Sequence, residues 1–210
     1  MYIELHAHSA VSFLEGSSVP EELIARCAEM KMPAMALLDR DGVYGSPRFH
    51  MAAKKAGLQA HIGAEVTAEI GNNWPIANSS SSRKNGRAKS TSSHLPRIPL
   101  LVSSRSGYQN LCRLITKMKL RAAKNEGAVY GNELQSHADG LICLTGGDDG
   151  PLAAAFTNGG LEEARRSVEY LVHLFGKNNV YVELQRHLHR EQELRNRAAI
   201  EIARSLQLPL

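Results

Sequence analysis

The chain has 210 residues, 43% of them hydrophobic, which is enough to bury one core and points to a single domain. A formal charge of +4 and a pI near 9.0 are compatible with a nucleic-acid partner without requiring one. Three widely separated cysteines (Cys27, Cys112, Cys143) with no CxxC, no basic-then-apolar leader and no long apolar run argue against a disulfide scaffold, a secretory signal and a membrane span, and lead us to expect reduced thiols in a cytoplasmic protein.

In chain order, Tyr2 to His6 reads as a first strand that delivers His6 and His8. Side chains two apart on a strand share a face, so the two imidazoles can converge on one point, as a metal site requires. Ordinary polar residues at a strand end are the alternative. A loop with Glu15-Gly16 follows, then Ser18-Val19-Pro20-Glu21, a capping box with an early proline that opens a helix to about Met30. Pro33 precedes the continuous apolar run Ala34–Leu38, a buried strand ending in Asp39-Arg40-Asp41-Gly42. Ser46-Pro47 starts a second helix that Gly57 stops, and His61 to Glu69 is a third strand carrying Glu65. This β, α, β, α, β rhythm predicts parallel strands joined by crossover helices.

Gly71 to Pro96 breaks the rhythm. It is rich in Ser and Asn, has Arg83, Lys84, Arg87 and Lys89, and contains no acid, so it reads as a flexible, basic, solvated insertion, with a DNA contact as the alternative. Arg97–Val102 is a fourth strand, followed by a helix from Gly107 to about Lys119 and a basic segment (Lys117, Lys119, Arg121, Lys124). Gly140–Leu144 is a fifth strand, ending in Thr145-Gly146-Gly147. Helices over Pro151–Phe156 and Leu161–Phe175, a sixth strand Val180–Leu184 ending in Gln185-Arg186-His187, and a helix from Glu191 to Leu206 complete the pattern; Leu208-Pro209-Leu210 opens a seventh strand. His50, His137 and His173 are expected at the surface, His61 on the rim and His189 near a helix start.

The predicted fold is α/β, a distorted β/α barrel whose polar residues (His6, His8, Asp39, Asp41, Glu65, Thr145, His187) gather at the C-terminal strand ends, where barrel sites lie. Carboxylates and imidazoles from several strand ends suit Zn²⁺, Mn²⁺ or iron, often as a cluster that activates water for phosphoester hydrolysis. Glu15 is either a further ligand or a solvated loop acid, and His187 is either a neighbour of the site or structural.

Several motifs carry a resemblance. His6-Ala7-His8-Ser9 with Phe13-Leu14-Glu15-Gly16, Leu38-Asp39-Arg40-Asp41-Gly42-Val43-Tyr44-Gly45 and Ile62-Gly63-Ala64-Glu65-Val66 resemble, in order, the first three motifs of the PHP (polymerase and histidinol phosphatase) domain. With Gly107-Tyr108-Gln109-Asn110-Leu111, Gly140–Gly146 and Tyr181–His187 added, the chain is similar to the N-terminal PHP domain of bacterial C-family DNA polymerases, in the error-prone branch related to the polymerase III alpha subunit. The resemblance covers residues 1–210 apart from the insertion, and implies a distorted seven-strand barrel with its last strand cut short. It implies metal ligands at His6, His8, Glu15 and Glu65, with Asp39, Arg40, Asp41, Arg97 and His187 lining the site.

The chain also departs from the pattern. Arg40 replaces a histidine after the second strand, Arg97 stands where a fourth-strand histidine is expected (His94 is nearby), Gly147 replaces a cysteine, and the seventh-strand Asp-x-His motif would lie beyond Leu210. Arginine cannot ligate a metal. The expectation is a depleted site in which Arg40 pairs with Glu15 or Glu65, with Zn²⁺ or Mn²⁺ at whatever position survives. The resemblance implies as partners the remainder of a Mg²⁺-dependent polymerase and, through it, DNA, with no membrane. The nucleotidyl-transfer aspartates of the polymerase palm are not in this chain, which leaves structural support, phosphoester hydrolysis and 3′–5′ proofreading as roles. A free-standing PHP phosphoesterase is the alternative, and a purely structural interaction module a third.

Overall fold

The computed structural model describes residues 2–69, 95–123 and 126–210, apart from the side chain of Glu191. Nearly all of the predicted insertion, with its basic residues and His94, and Lys124 lie outside the described residues.

β1 (Glu4–Ala7), β2 (Ala34–Arg40), β3 (Gln59–Glu69), β4 (Arg97–Val102), β5 (Val129–Tyr130), β6 (Leu141–Leu144) and β7 (Val180–Tyr181) form one curled sheet in the order β1-β2-β3-β4-β6-β7, with β5 paired to the far end of β3. β1, β2 and β3 run parallel, and β2 is buried through Asp39, as the apolar run Ala34–Leu38 predicts.

β4 departs from the expected crossover pattern. It pairs antiparallel with both β3 and β6. Its first residue, Arg97, therefore lies at the sheet end where the parallel strands finish. β5 and the short helix α4 (Gly131–Ser136) were not anticipated; two residues of strand and six of helix carry too little periodicity to read. Leu208–Leu210 is not a strand, although the Val182 N–H donates to the Pro209 carbonyl at 2.9 Å.

The helices cover the outer faces. α1 (Pro20–Glu29) and α2 (Ser46–Ala56) enclose Ile24, Cys27, Phe49 and Ala53 against Met35 and Leu37 of β2. The cap of α1 is Val19 instead of Ser18: its N–H donates to the Glu22 carboxylate, which reaches back one turn. α3 (Arg105–Arg121), α5 (Pro151–Phe175) and α6 (Arg190–Leu206) bury Leu111, Leu114, Val168, Leu171 and Ile202 against Ile98, Leu100, Cys143 and Val180. α5 merges the two helices expected there; its helical geometry breaks only at Gly159 and at Gly160, where φ is +69°. His137, expected at the surface, is buried, because its Nδ1 lies 2.8 Å from the Glu133 carbonyl at the end of α4.

Side-chain alternation sorts the strands into two faces. Met35 and Leu37 face α1 and α2, while Ala36 and Leu38 join Leu101 and Leu144 inside the curl. Gly63 lies on this inner side, where β4 passes so closely that an added Cβ would sit 2.3 Å from the Leu100 carbonyl oxygen. We expect Gly63→Ala to destabilise the fold by about 1–3 kcal/mol, since the obstacle is paired backbone that cannot rotate away. Urea unfolding measures this, and an unchanged midpoint would show that the sheet can spread at this point.

Candidate metal centre

The same alternation carries His6, Arg40, Glu65, Arg97 and Glu183 to the concave face at one end of the sheet. An open cavity of about 390 Å³ lies there, lined by His6, His8, Glu15, Glu65 and Arg97, and by Gly147, Asp148, Asp149 and Gln185 from the ends of β6 and β7.

At its base, donor atoms of His6, His8 and Glu65 lie within 4.8 Å of one another. His6 Nε2 is 3.3 Å from Glu65 Oε1, and His8 Nε2 is 3.5 Å from Glu65 Oε2. The rings of His6 and His8 stand edge to face, 5.3 Å between centroids. His6 Nε2, His8 Nε2 and Glu65 Oε2 are buried and make no hydrogen bond. Buried polar atoms without a hydrogen bond are rare in folded proteins, and three that meet at one point through ion pairs of 3.3–3.5 Å alone fit a cation. The second nitrogen of His6 is committed elsewhere: Nδ1 lies 2.8 Å from Glu183 Oε1, and Gln185 Nε2 donates to that same oxygen at 2.7 Å. A carboxylate on Nδ1 orients the ring and directs Nε2 inward, as around many metal-bound histidines.

Charge follows from this packing. Burial pulls the His6 imidazolium towards deprotonation, but the hydrogen bond to Glu183 and the negative charge of Glu183 and Glu65 outweigh it and push the pKa up to about 10. Burial pushes the Glu65 carboxyl up, and His6, His8 and Arg97 more than reverse that, so it ends below its ordinary value. Without a metal, a proton on His6 supplies the positive charge between the two carboxylates. A metal taking His6 Nε2 displaces that proton, so its affinity must rise with pH.

Glu15 is organised differently. Its Oε1 accepts from Arg40 at 2.7 Å and lies 3.0 Å from Arg97, while its Oε2 is buried without a hydrogen bond. Arg97 also reaches Glu65 Oε2 at 3.5 Å and Asp149 at 3.6 Å, and its N–H donates to the Asp149 carbonyl. Burial lowers the Arg97 pKa, and Glu15, Glu65 and Asp149 together raise it above the usual value. The two arginines thus occupy one oxygen of the Glu15 carboxylate.

The remaining predicted residues take up supporting places. Asp39 has the parity of Leu37, points away from the cavity and is buried; it accepts from the Ser9 N–H and from the hydroxyls of Ser9 and Ser12 at 2.8–3.0 Å. It therefore braces the loop between His8 and Glu15. Asp41, with φ at +49°, accepts from the Thr67 N–H and hydroxyl, while its own N–H donates to the Glu65 carbonyl. It clamps β3 beside Glu65. His187 is exposed at its loop and lies 2.9 Å from Gln192 of α6, outside the cavity lining. Thr145 is buried and accepts from the Glu183 N–H.

Sequence reading passed over Glu183, Gln185 and Asp149. The acid at the end of the sixth strand was visible, two residues after Tyr181. Nothing local distinguished it from a solvated strand-end acid. At Gly147, an added Cβ would fall 2.2 Å from Gln185 Oε1, so the glycine makes room for the amide that holds Glu183.

Among the described residues, no helix is long and apolar enough to cross a membrane. The PHP domain profile matches residues 4–187. The chain is 33% identical over 204 residues to the error-prone DNA polymerase of Mycolicibacterium paratuberculosis, an alignment covering 96% of this chain and 17% of that one. It is 36% identical to the Cutibacterium acnes error-prone DNA polymerase over 89% of this chain and 15% of that one, and 28% identical to the Borreliella burgdorferi DNA polymerase III subunit alpha over 100% and 17%. It thus spans about a sixth of the length of these relatives. A solved structure from Bifidobacterium adolescentis, described as a "putative metal-dependent phosphoesterase", superposes with a TM-score of 0.59 at 12% identity, covering 98% of this chain and 84% of its own, which shows a shared fold. A curled sheet with His6, His8 and Glu65 at its mouth, a profile spanning most of the chain, and polymerase relatives aligned along nearly all of it establish that the chain belongs to the PHP domain family, homologous to the N-terminal part of error-prone DNA polymerases and DNA polymerase III alpha subunits.

Proposed function

We propose that residues 1–210 are the PHP domain of a cytoplasmic C-family DNA polymerase of the error-prone type, acting in DNA replication and damage-associated synthesis. Here the domain supports the polymerase core and retains one metal position in place of a cluster. The partners in this reading are the remainder of the polymerase and, through it, DNA; Mg²⁺-dependent nucleotidyl transfer belongs to that remainder. Exposed Tyr2 and Leu5 near β1, and Tyr181 and Leu184 near β7, support coverage of these two edges by further protein.

The observation that carries the one-metal reading is the convergence of Arg40 and Arg97 on Glu15 Oε1. Two guanidinium groups there supply positive charge that further ions would otherwise bring, and repel such ions. His6 Nε2, His8 Nε2 and Glu65 are the ligands that remain, a set suited to Zn²⁺ or Mn²⁺. A bound ion would supply Lewis acidity to a water or a phosphate oxygen. Arg97 would hold an anion beside it, and Glu183 would fix the His6 ring.

The expected result of loading purified protein with Zn²⁺ or Mn²⁺ is no more than one metal per chain by elemental analysis, with affinity rising with pH as His6 gives up its proton. More than one metal per chain would overturn this reading. The free-standing phosphoesterase remains the second reading, favoured by the three converging donor atoms that make no hydrogen bond. It requires the loaded protein to hydrolyse a generic phosphoester, and His6→Ala with His8→Ala to abolish that hydrolysis.

A further inference from the structure

α3 differs from the other long helices in its charge. Its 17 residues, RSGYQNLCRLITKMKLR, contain five cations and no acid. Several exposed arginines elsewhere are paired (Arg26 with Glu29, Arg48 with Glu21, Arg165 with Glu169, Arg166 with Glu163), whereas Arg190, Arg197 and Arg204 of α6, like most cations of α3, form no ion pair with a described residue, but α6 also carries acids. On α3 only Arg121 has such a partner among the described residues, Glu133, whose two carboxylate oxygens it occupies. Arg105, Arg113, Lys117 and Lys119 are exposed and form no ion pair with any described residue. Glu133 also feels Lys117, but its hydrogen bonds go to Arg121 and to the Tyr130 N–H.

The helix turns about 100° per residue. Leu111, Leu114, Ile115 and Met118 define the buried side, so the centre of the outward side holds Arg105, Gln109, Arg113, Thr116 and Leu120, with Lys117 and Lys119 on its two flanks. From Arg105 to Lys117 the cations extend over about 18 Å at a rise of about 1.5 Å per residue. Arg105 and Arg113 near the centre of the face, Lys117 and Lys119 to either side and Gln and Thr donors between them form a broad cationic face, which suits a rigid polyanion carrying phosphates on two strands. A lipid surface fits less well, because Leu120 is the one large apolar side chain at the centre of this face and an interfacial helix needs a continuous apolar side. A flexible single strand also fits less well, because the centre of the face offers no aromatic ring for stacking.

We propose that the outer face of α3 binds the phosphate backbone of duplex DNA without regard to sequence. The surface is separate from the metal centre, and the inference holds whichever longer chain the domain serves. The test variants leave the sequence Arg83–Lys89 unchanged.

The test is fluorescence anisotropy of a short labelled duplex of arbitrary sequence, titrated with the full chain at graded salt. For four phosphate contacts, log Kd should rise against log salt with a slope of about 3 to 4. Arg113→Gln with Lys117→Gln should weaken binding roughly tenfold or more and reduce the slope by about 2. Arg165→Gln with Arg166→Gln on α5 makes the same change in net charge and should leave both unchanged. Equal losses in the two double variants, an unaltered Kd in the α3 variant, or tighter binding to phosphatidylserine vesicles or to single strands than to the duplex would each overturn the proposal.

Discussion

Replacing Asp39 with alanine should destabilise the protein by about 3–5 kcal/mol. The carboxylate is 2% exposed and accepts from one backbone N–H and two hydroxyls of the Ser9–Ser12 segment. Removing it strands three donors in a place water reaches poorly, each costing about 1–3 kcal/mol. The loss should be visible as a lower urea midpoint. It should also appear as weaker metal binding, because the same loop sets the positions of His8 and Glu15. Asp39→Asn keeps the volume and one acceptor, so its cost should be smaller. A destabilisation under about 1 kcal/mol for the alanine variant would show that the loop is held by other contacts.

Arg97→Ala should have opposite consequences for stability and for metal affinity. The Arg97 side chain is 16% exposed and stands between Glu65, 6% exposed, and Glu15, 20% exposed. Removing one partner from a largely buried charge cluster leaves the others uncompensated and typically costs about 3–5 kcal/mol. Thermal unfolding of the metal-free variant should show this loss. The same change deepens the negative potential at His6, His8 and Glu65, so Zn²⁺ or Mn²⁺ should bind roughly tenfold or more tightly, one unit charge at this range being worth a few kcal/mol at an effective dielectric near 20. Added metal should then restore more stability to the variant than to the native chain, because a ligand stabilises in proportion to its affinity for the folded state. Arg97→Lys, which keeps the charge and loses the two-pronged geometry, should lie between. Unchanged metal affinity in the alanine variant would show that Arg97 does not act as the electrostatic substitute for an ion.

Much of this site was legible before any fold was known. His6 and His8 are two apart at the end of an apolar strand, and Glu65 lies two after Gly63 in another; period two suffices to place each on one face. The pairing of Arg40 with Glu15 was foreseeable once an arginine stood where a ligand was expected. Glu183 and Asp149 were not, because an acid at the end of a short strand looks the same whether it meets solvent or, as Glu183 does, a histidine 177 residues away in sequence. Asp39 and Asp41 were expected to line the site along with Arg40. Asp39 instead shares its side of β2 with Met35 and Leu37, and Asp41 turns off the strand at a positive φ.

The sequence by itself determined the elements and their faces: the buried run Ala34–Leu38, the proline-led starts of α1 and α2, and the inward parity of His6, Glu65 and Arg97. Those depend on local spacing and on the burial of apolar side chains, which any segment carries with it. Only the tertiary structure decided that β4 runs antiparallel, which brings Arg97, the first residue of its strand, to the end where the parallel strands finish. It alone decided that Glu15 meets two guanidinium groups, and that Glu183 grips the first histidine. Strand direction and long-range ion pairing are settled by which packing satisfies all buried charges at once, a global condition that no short window of sequence contains.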